Sequence, residues 1–153
     1  MFKIILIIEA LIFSKLTFGQ DINLIIKVNE KLEQSSFSNI YVTLDSVKSQ
    51  KHCQVDYVPG NLKLPIEITT TLNADSSKII FLHFFYNTYN KDGHQIAHFF
   101  TKLPQRLLKQ PYLILNFYDF REKNYKKWYQ KDKKQEFGSE FVYPTRGILI
   151  RNK

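Results

Sequence analysis

Residues 79–103, IIFLHFFYNTYNKDGHQIAHFFTKL, decide the fold class of this chain. The run from Ile79 to Tyr86 is almost continuously apolar, which is typical of a strand that is covered on both faces. Asn90–Gly93 follows, and its Asp-Gly dipeptide tolerates positive φ and favours a tight hairpin turn. Gln95–Thr101 is then predicted to be the returning strand, so an antiparallel hairpin forms the centre of the fold.

Short runs with strand-like patterns lie on both sides of this hairpin. The clearest is Ile66–Leu72, where apolar and polar residues alternate strictly and β-branched residues are dense. Pro104–Pro111 brackets a basic connector compatible with one helical turn. The other candidate strands are Ile22–Val28, Ile40–Leu44, Cys53–Tyr57, Tyr112–Phe120, Glu140–Tyr143 and Gly147–Arg151. About nine strands with no sustained helical period predict a single all-β domain, either an antiparallel β-sandwich or a small barrel.

The first nineteen residues have a different pattern from the rest of the chain. Lys3 precedes an apolar run, Ile4–Phe13, and a polar stretch then ends in the small residues Thr17 and Gly19. This order resembles bacterial secretory signal peptides and predicts cleavage near Gly19, leaving a mature domain of residues 20–153. The apolar run is about half of the ~20 residues that a membrane-spanning helix needs. We therefore expect a secreted or periplasmic protein with no transmembrane span in the mature chain.

Glu9 lies inside the apolar run and argues against this interpretation, because a carboxylate is costly in an apolar environment. The alternative is that residues 1–18 form an amino-terminal core element or an uncleaved anchor.

The chain has one cysteine, Cys53, so an intramolecular disulfide is excluded and stability must come from the core. Cys53 and His52 point to opposite faces of a strand, so Cys53 is expected to be a small buried hydrophobe rather than a nucleophile.

The most unusual part of the sequence is the basic segment, residues 121–134, in a chain of formal net charge +8. It holds seven cations against Glu122 and Asp132, with aromatic residues interleaved. Such a mixture can contact an anionic envelope surface or an acidic protein partner. Nucleic acid is disfavoured as a partner by the expected secretion. The predicted binding residues are Arg121, Lys123, Tyr125, Lys126, Lys127, Trp128, Tyr129, Lys131, Lys133 and Lys134. The alternative is a solvated loop or hairpin whose lysines protect a sheet edge.

The four histidines are the other candidates for chemistry. His94 and His98 would share one face of a strand, but they would be about 13 Å apart at ~3.3 Å per residue, too far for one tetrahedral metal ion. We therefore predict no metal site and no cofactor, with His83 a hydrogen-bonded sheet residue and His94 a turn residue.

No catalytic motif is recognisable, which favours a non-enzymatic binding module. The alternatives are a structural component of a cell-envelope assembly that acts by sheet-edge pairing at a terminal strand, and a hydrolase with a histidine-containing site.

Overall fold

The computed structural model describes residues 19–32, 37–90, 93–129 and 134–144. These residues form ten strands, two α-helices and one turn of 3₁₀ helix. In chain order they are β1 (Asp21–Ile22), β2 (Leu24–Val28), β3 (Phe37–Leu44), β4 (Cys53–Gln54), β5 (Asp56–Val58), β6 (Asn61–Lys63), α1 (Ile66–Ala74), β7 (Ile80–Asn90), β8 (Gly93–Leu103), the 3₁₀ turn (Gln105–Leu107), β9 (Leu113–Asp119), α2 (Lys123–Tyr129) and β10 (Phe137–Val142).

The strands form three sheets, none of which closes within the described residues. Their orders are β1-β6-β5, β10-β9-β2 and β4-β3-β7-β8. The β7–β8 hairpin is the longest pairing, with antiparallel register from Ile80 opposite Leu103 to Asn90 opposite Gly93. The predicted hairpin is therefore confirmed, and the predominance of strands agrees with the expected all-β class.

The expectation of a purely antiparallel fold is wrong for one strand pair. β2 runs parallel to β9, from Leu24 opposite Leu113 to Val28 opposite Phe117. A parallel pair cannot be joined by a tight turn and requires a long crossover connection. Here the connection is the chain between β2 and β9, which includes the strands of the four-stranded sheet. The sheet β10-β9-β2 is mixed, because β10 pairs antiparallel with β9 and β2 pairs parallel with it.

Aromatic side chains join the four-stranded sheet to the mixed sheet. Phe84 on β7 and Phe117 on β9 make an edge-to-face contact with ring centroids 4.9 Å apart. Phe99 on β8 lies 5.3 Å from Phe117 and 5.5 Å from Phe84 between ring centroids. All three rings are at most 1% exposed. Offset and edge-to-face aromatic packing of this kind adds to the energy of burial, so these rings form the centre of the core.

The predicted strand at Ile66–Leu72 is wrong, because this segment is the helix α1. Pro65 immediately precedes the helix, where a residue with fixed φ and no N–H group causes no loss. Ile68 and Leu72, four residues apart, are the buried positions and join the core. The threonine hydroxyls bond back to carbonyls of the preceding turn, as in Thr71 Oγ1 to Glu67 O at 2.7 Å. Burial of an i, i+4 pair has therefore overridden the local β propensity.

Other predictions are confirmed or lie outside the described residues. The predicted helical turn after Pro104 is present as the 3₁₀ turn. The signal-peptide prediction and the run 147–151 lie outside the described residues. Within the described ranges, no helix is both long enough and apolar enough to cross a membrane.

Candidate functional site

The basic segment begins directly after β9 and contains the helix α2. The loop or hairpin considered from the sequence is therefore wrong for Lys123–Tyr129. Residues 130–133 lie outside the described residues, as do the side chains of Trp128 and Tyr129. The structure therefore does not test the predicted binding roles of four residues, Trp128, Tyr129, Lys131 and Lys133.

Arg121 is paired within the chain. Its Nε lies 2.9 Å from each carboxylate oxygen of Asp119, and its terminal nitrogen contacts the same carboxylate. The Asp119 side chain is only 5% exposed, so the two-pronged contact satisfies a carboxylate that water hardly reaches. Hydrogen bonding to Asp119 raises the pKa of Arg121. This cation therefore stabilises the end of β9 and contributes little positive charge to the surface.

Asn29 connects α2 to the strands beneath it. Its Oδ1 accepts the backbone N–H of Asp119 at 2.8 Å, and its Nδ2 donates to Glu122 Oε1 at 2.6 Å. The hydroxyl of Tyr125 donates to the carbonyl of Asn29 at 2.9 Å. Asn29 has a φ of 51°, a left-handed conformation that asparagine tolerates better than most residues. These bonds fix α2 to the ends of β2 and β9 and give Tyr125 a structural role.

Three lysines lie on the side of α2 opposite Tyr125. At 100° per residue, Lys123, Lys126 and Lys127 fall within one third of the helix circumference, since they are separated by three and four residues. All three are exposed, and Lys134 is also exposed. The side chains of Lys123, Lys126 and Lys127 define what we call the lysine face. The predicted binding segment thus divides into anchoring residues, Arg121 and Tyr125, and this exposed cationic surface.

A second group of polar side chains lies on the four-stranded sheet, on the face opposite the core. Tyr41 and Thr43 come from β3, His83 from β7 and His98 from β8. His52, just before β4, stacks on the Tyr41 ring with centroids 4.7 Å apart. These five residues define the histidine–tyrosine cluster. The strand register explains it, because Tyr41 is directly opposite His83, and His98 is the diagonal neighbour of His83 across β7 and β8.

Hydrogen bonds in this cluster have a defined direction. The single hydroxyl hydrogen of Thr43 is donated to the carbonyl of Ser46 at 2.8 Å. Thr43 Oγ1 must therefore accept from His83 Nε2, 3.0 Å away. Neutral His83 then accepts at Nδ1, and His98 Nε2 is the donor across 3.1 Å. The hydrogen-bond network assigns these tautomers: Nε2–H on both His83 and His98.

Burial keeps His83 neutral. The side chain is 0% exposed, and desolvation, with smaller contributions from the His98 and His52 imidazoles, lowers the pKa of His83 to about 4. Tyr41 stacks on the His83 ring at 4.6 Å between centroids, with the ring planes 7° apart. Burial also lowers the pKa of His98. A proton added to His83 would occupy Nδ1, which accepts the hydrogen bond from His98 Nε2. Protonation of His83 would therefore break the hydrogen bond between the two histidines.

The hydroxyl nearest to His83 is buried and already hydrogen-bonded. Thr43 is the hydroxyl beside His83, but it is 1% exposed and its hydrogen is bonded to Ser46. His94 lies outside the cluster, with its Nε2 3.1 Å from Asn87 Oδ1. Cys53 packs against the core while the adjacent His52 stacks on Tyr41, as expected for opposite strand faces. In the part of the chain that the structure describes, no three His, Cys, Asp or Glu side chains are placed to hold a metal ion.

No protein-family model, curated protein or solved structure matches this chain.

Proposed function

We propose that this protein is a secreted, non-enzymatic binding module that contacts an anionic surface through the lysine face of α2. The observation that supports this proposal is the arrangement of the helix. Tyr125 on one side is hydrogen-bonded to the Asn29 carbonyl, and Lys123, Lys126 and Lys127 occupy the other side. A cationic surface held on a fixed helix loses little conformational freedom on binding, which favours recognition.

Membrane-like anionic surfaces fit this cationic face better than a small anion does. The lysines are exposed side chains on one side of a two-turn helix. An extended negative surface can contact all of them at once, and each cation near such a surface contributes about 1 kcal/mol. An acidic protein partner is the alternative that the binding experiment below must separate from a lipid surface.

Neutralising two lysines of α2 should weaken binding to anionic vesicles. We expect the Lys126→Gln, Lys127→Gln double variant to bind phosphatidylglycerol-containing vesicles roughly thirtyfold more weakly than the unmodified protein, since two cation contacts of about 1 kcal/mol each are lost. Vesicle co-sedimentation over a range of salt concentrations measures this difference. Added salt should reduce binding of the unmodified protein more than binding of the variant.

The matched control is Lys48→Gln with Lys51→Gln. These lysines are exposed in the segment between β3 and β4 and give the same change in net charge. Equal weakening by both double variants would show that only net charge matters and would contradict the assignment to α2. Absence of vesicle binding by the unmodified protein, with capture by an immobilised polyglutamate surface, would favour an acidic protein partner.

Secretion is tested separately by intact mass. The protein recovered from the medium or periplasm should have a mass that corresponds to a chain beginning at Gln20, because the small residues Thr17 and Gly19 favour cleavage after Gly19. A full-length product that stays in the cytoplasm would contradict the secretion proposal and would leave the vesicle experiment as a test of the lysine face alone.

A further inference from the structure

A cavity of about 570 Å³ lies at the border between two of the sheets. Its walls are the beginning of β3, in the four-stranded sheet, and the β5–β6 hairpin, in the sheet β1-β6-β5. It shares no lining residue with the lysine face or with the histidine–tyrosine cluster. Small-molecule sites in proteins have volumes of about 300–1,000 Å³. The cavity is therefore large enough to hold a small ligand.

Asn61, at the start of β6, brings an unmet hydrogen-bond requirement to the wall of this cavity. Its Oδ1 is buried and has no hydrogen-bond partner among the described residues. A buried acceptor without a partner lowers stability, so its presence calls for an explanation. The last side-chain torsion of asparagine is broad. A rotation of the Asn61 amide about this torsion would let a hydroxyl group of a ligand in the cavity supply the missing donor.

The turn before Asn61 fixes the position of its backbone. Pro59 and Gly60 connect β5 to β6, and Val58 pairs with Asn61 on either side of them. Gly60 has a φ of 91°, a conformation that glycine adopts without steric cost. The N–H of Gly60 donates to the carbonyl of Leu24 at 2.9 Å, which ties the turn to β2. Asn61 therefore reaches the cavity from a rigid part of the fold, which reduces the entropy lost on binding.

Two aromatic rings supply an apolar part of the wall. Phe37 and Tyr57 both line the cavity, with ring centroids 6.2 Å apart. The hydroxyl of Tyr57 accepts the backbone N–H of Ile26 at 2.8 Å, which holds the ring in place. Both side chains are half-buried, so each ring keeps some exposed surface. Ligand sites typically combine such aromatic surface with a few polar groups that orient the ligand.

The polar part of the wall does not favour a ligand of either charge. Asn39, at the bulge in β3, and Gln54, on β4, have amide side chains that both donate and accept hydrogen bonds. Among the described lining residues, the charged ones are Asp56 and Lys63. These two are directly opposite each other across β5 and β6, so their charges offset each other. The wall therefore suits a neutral ligand that both donates and accepts hydrogen bonds.

We propose that this cavity binds a neutral saccharide of one or two sugar units. Sugar hydroxyls can donate to Asn61 Oδ1 and can accept from the amide N–H groups of Asn39 and Gln54. The apolar C–H face of a sugar ring can pack against the two aromatic rings. A purely apolar ligand would leave the wall amides without partners, and an anion would lie beside the Asp56 carboxylate. A neutral saccharide satisfies both the polar and the apolar parts of the wall.

Two-dimensional NMR of the full chain, labelled with ¹⁵N, tests the proposal. Glucose, galactose, N-acetylglucosamine, maltose, lactose and chitobiose are titrated singly to about 20 mM, with a dissociation constant of about 1–10 mM expected for at least one of them. Binding should shift the side-chain amide signals of Asn61 and the backbone signals of β5 and β6, and should leave the signals of α2 unchanged. No shift at the cavity with any of these sugars, or tighter binding of glucose 6-phosphate or glucosamine than of the neutral sugars, would overturn the proposal.

Asn61→Ala separates recognition from stability. We expect the variant to bind the sugar at least about tenfold more weakly, while the midpoint of its urea denaturation stays the same or rises, because the oxygen that it loses has no partner within the described residues. The matched control is Asn73→Ala, the same change at an exposed position of α1, and it should bind normally. Equal affinities of the two variants would contradict the assignment to this cavity.

Gln54→Ala gives a second test that does not depend on the folding of the Asn61 variant. Gln54 is exposed, so its truncation should leave the fold intact and weaken sugar binding about threefold or more. Unchanged binding by this variant would also contradict the assignment. The α2 glutamine variants leave the cavity unchanged and should bind the sugar normally. The saccharide proposal and the vesicle-binding proposal can therefore fail independently.

Discussion

Replacing Phe117 by alanine is expected to lower the free energy of unfolding by about 3–5 kcal/mol. Phe117 is 0% exposed on β9, and its ring contacts Phe84 and Phe99 of the four-stranded sheet. It also lies 6.0 Å from the Phe137 ring of β10 between centroids. Truncation removes the transfer energy of the ring and leaves a cavity between two sheets that are fixed by their own hydrogen bonds. Urea denaturation followed by circular dichroism measures the loss.

The control for Phe117→Ala is the same substitution at Phe81. Phe81 lies on β7 but on the half-exposed outer face of the sheet, so its truncation should cost only about 1–2 kcal/mol. Small domains are stable by about 5–15 kcal/mol, so the Phe117 variant should be close to its limit of stability while the Phe81 variant stays well folded. Equal losses at the two positions would mean that the aromatic contact between the sheets does not form the main core.

Local patterns predicted the β7–β8 hairpin because its determinants are close in sequence. An apolar run, an Asp-Gly turn and a second apolar run specify both strands and their direction without reference to the rest of the chain. The same reasoning failed at Ile66–Leu72, where the local β propensity is high. The helix that forms there buries Ile68 and Leu72 against core residues supplied by the rest of the chain. That burial depends on residues distant in sequence and cannot be read from the segment.

Long-range pairing limited the prediction in the same way. Nothing within Ile22–Val28 or Tyr112–Phe120 indicates that the two strands lie side by side and parallel, because parallel pairing leaves no turn signal.

The hydrogen-bond partners of the histidines could not be predicted from the sequence for the same reason. His83 was correctly expected to be hydrogen-bonded within the sheet, but its partners Thr43 and His98 follow from the register of three strands. Within β3, Tyr41 and Thr43 are two residues apart and share a face, but this spacing does not predict which side chains lie opposite them.

Composition predicted the exposed cations of the basic segment but did not separate their roles. Lys123, Lys126 and Lys127 are exposed, as a charged run normally is. Arg121 belongs to the same run but is neutralised by Asp119, two residues earlier, and Tyr125 is hydrogen-bonded to Asn29 on a distant strand. The distinction depends on the buried position of Asp119 at the end of β9. A sequence pattern therefore identified the basic surface, and the fold showed that Arg121 and Tyr125 anchor it while Lys123, Lys126 and Lys127 are exposed.

Acidification from pH 7 to pH 5 is expected to cost about 2 kcal/mol of stability through His83 alone. The pKa of His83 is about 4 in the folded protein, against an ordinary value of 6.5 in the unfolded chain. Between these values the unfolded chain binds the proton and the folded protein does not. Stability from this group is therefore complete above pH 6.5 and is lost as the pH falls. The lowered pKa of His98 acts in the same direction.

Urea denaturation at several pH values tests this linkage with two variants. His83→Gln should flatten the dependence between pH 5 and pH 7, because glutamine does not titrate and its amide can still donate to Thr43. His94→Gln should retain the full dependence, since His94 is exposed and lies outside the cluster. An equal flattening in both variants would mean that the dependence does not arise from burial of His83. If the unmodified protein were equally stable at both pH values, His83 would not be held neutral by its burial in the folded protein.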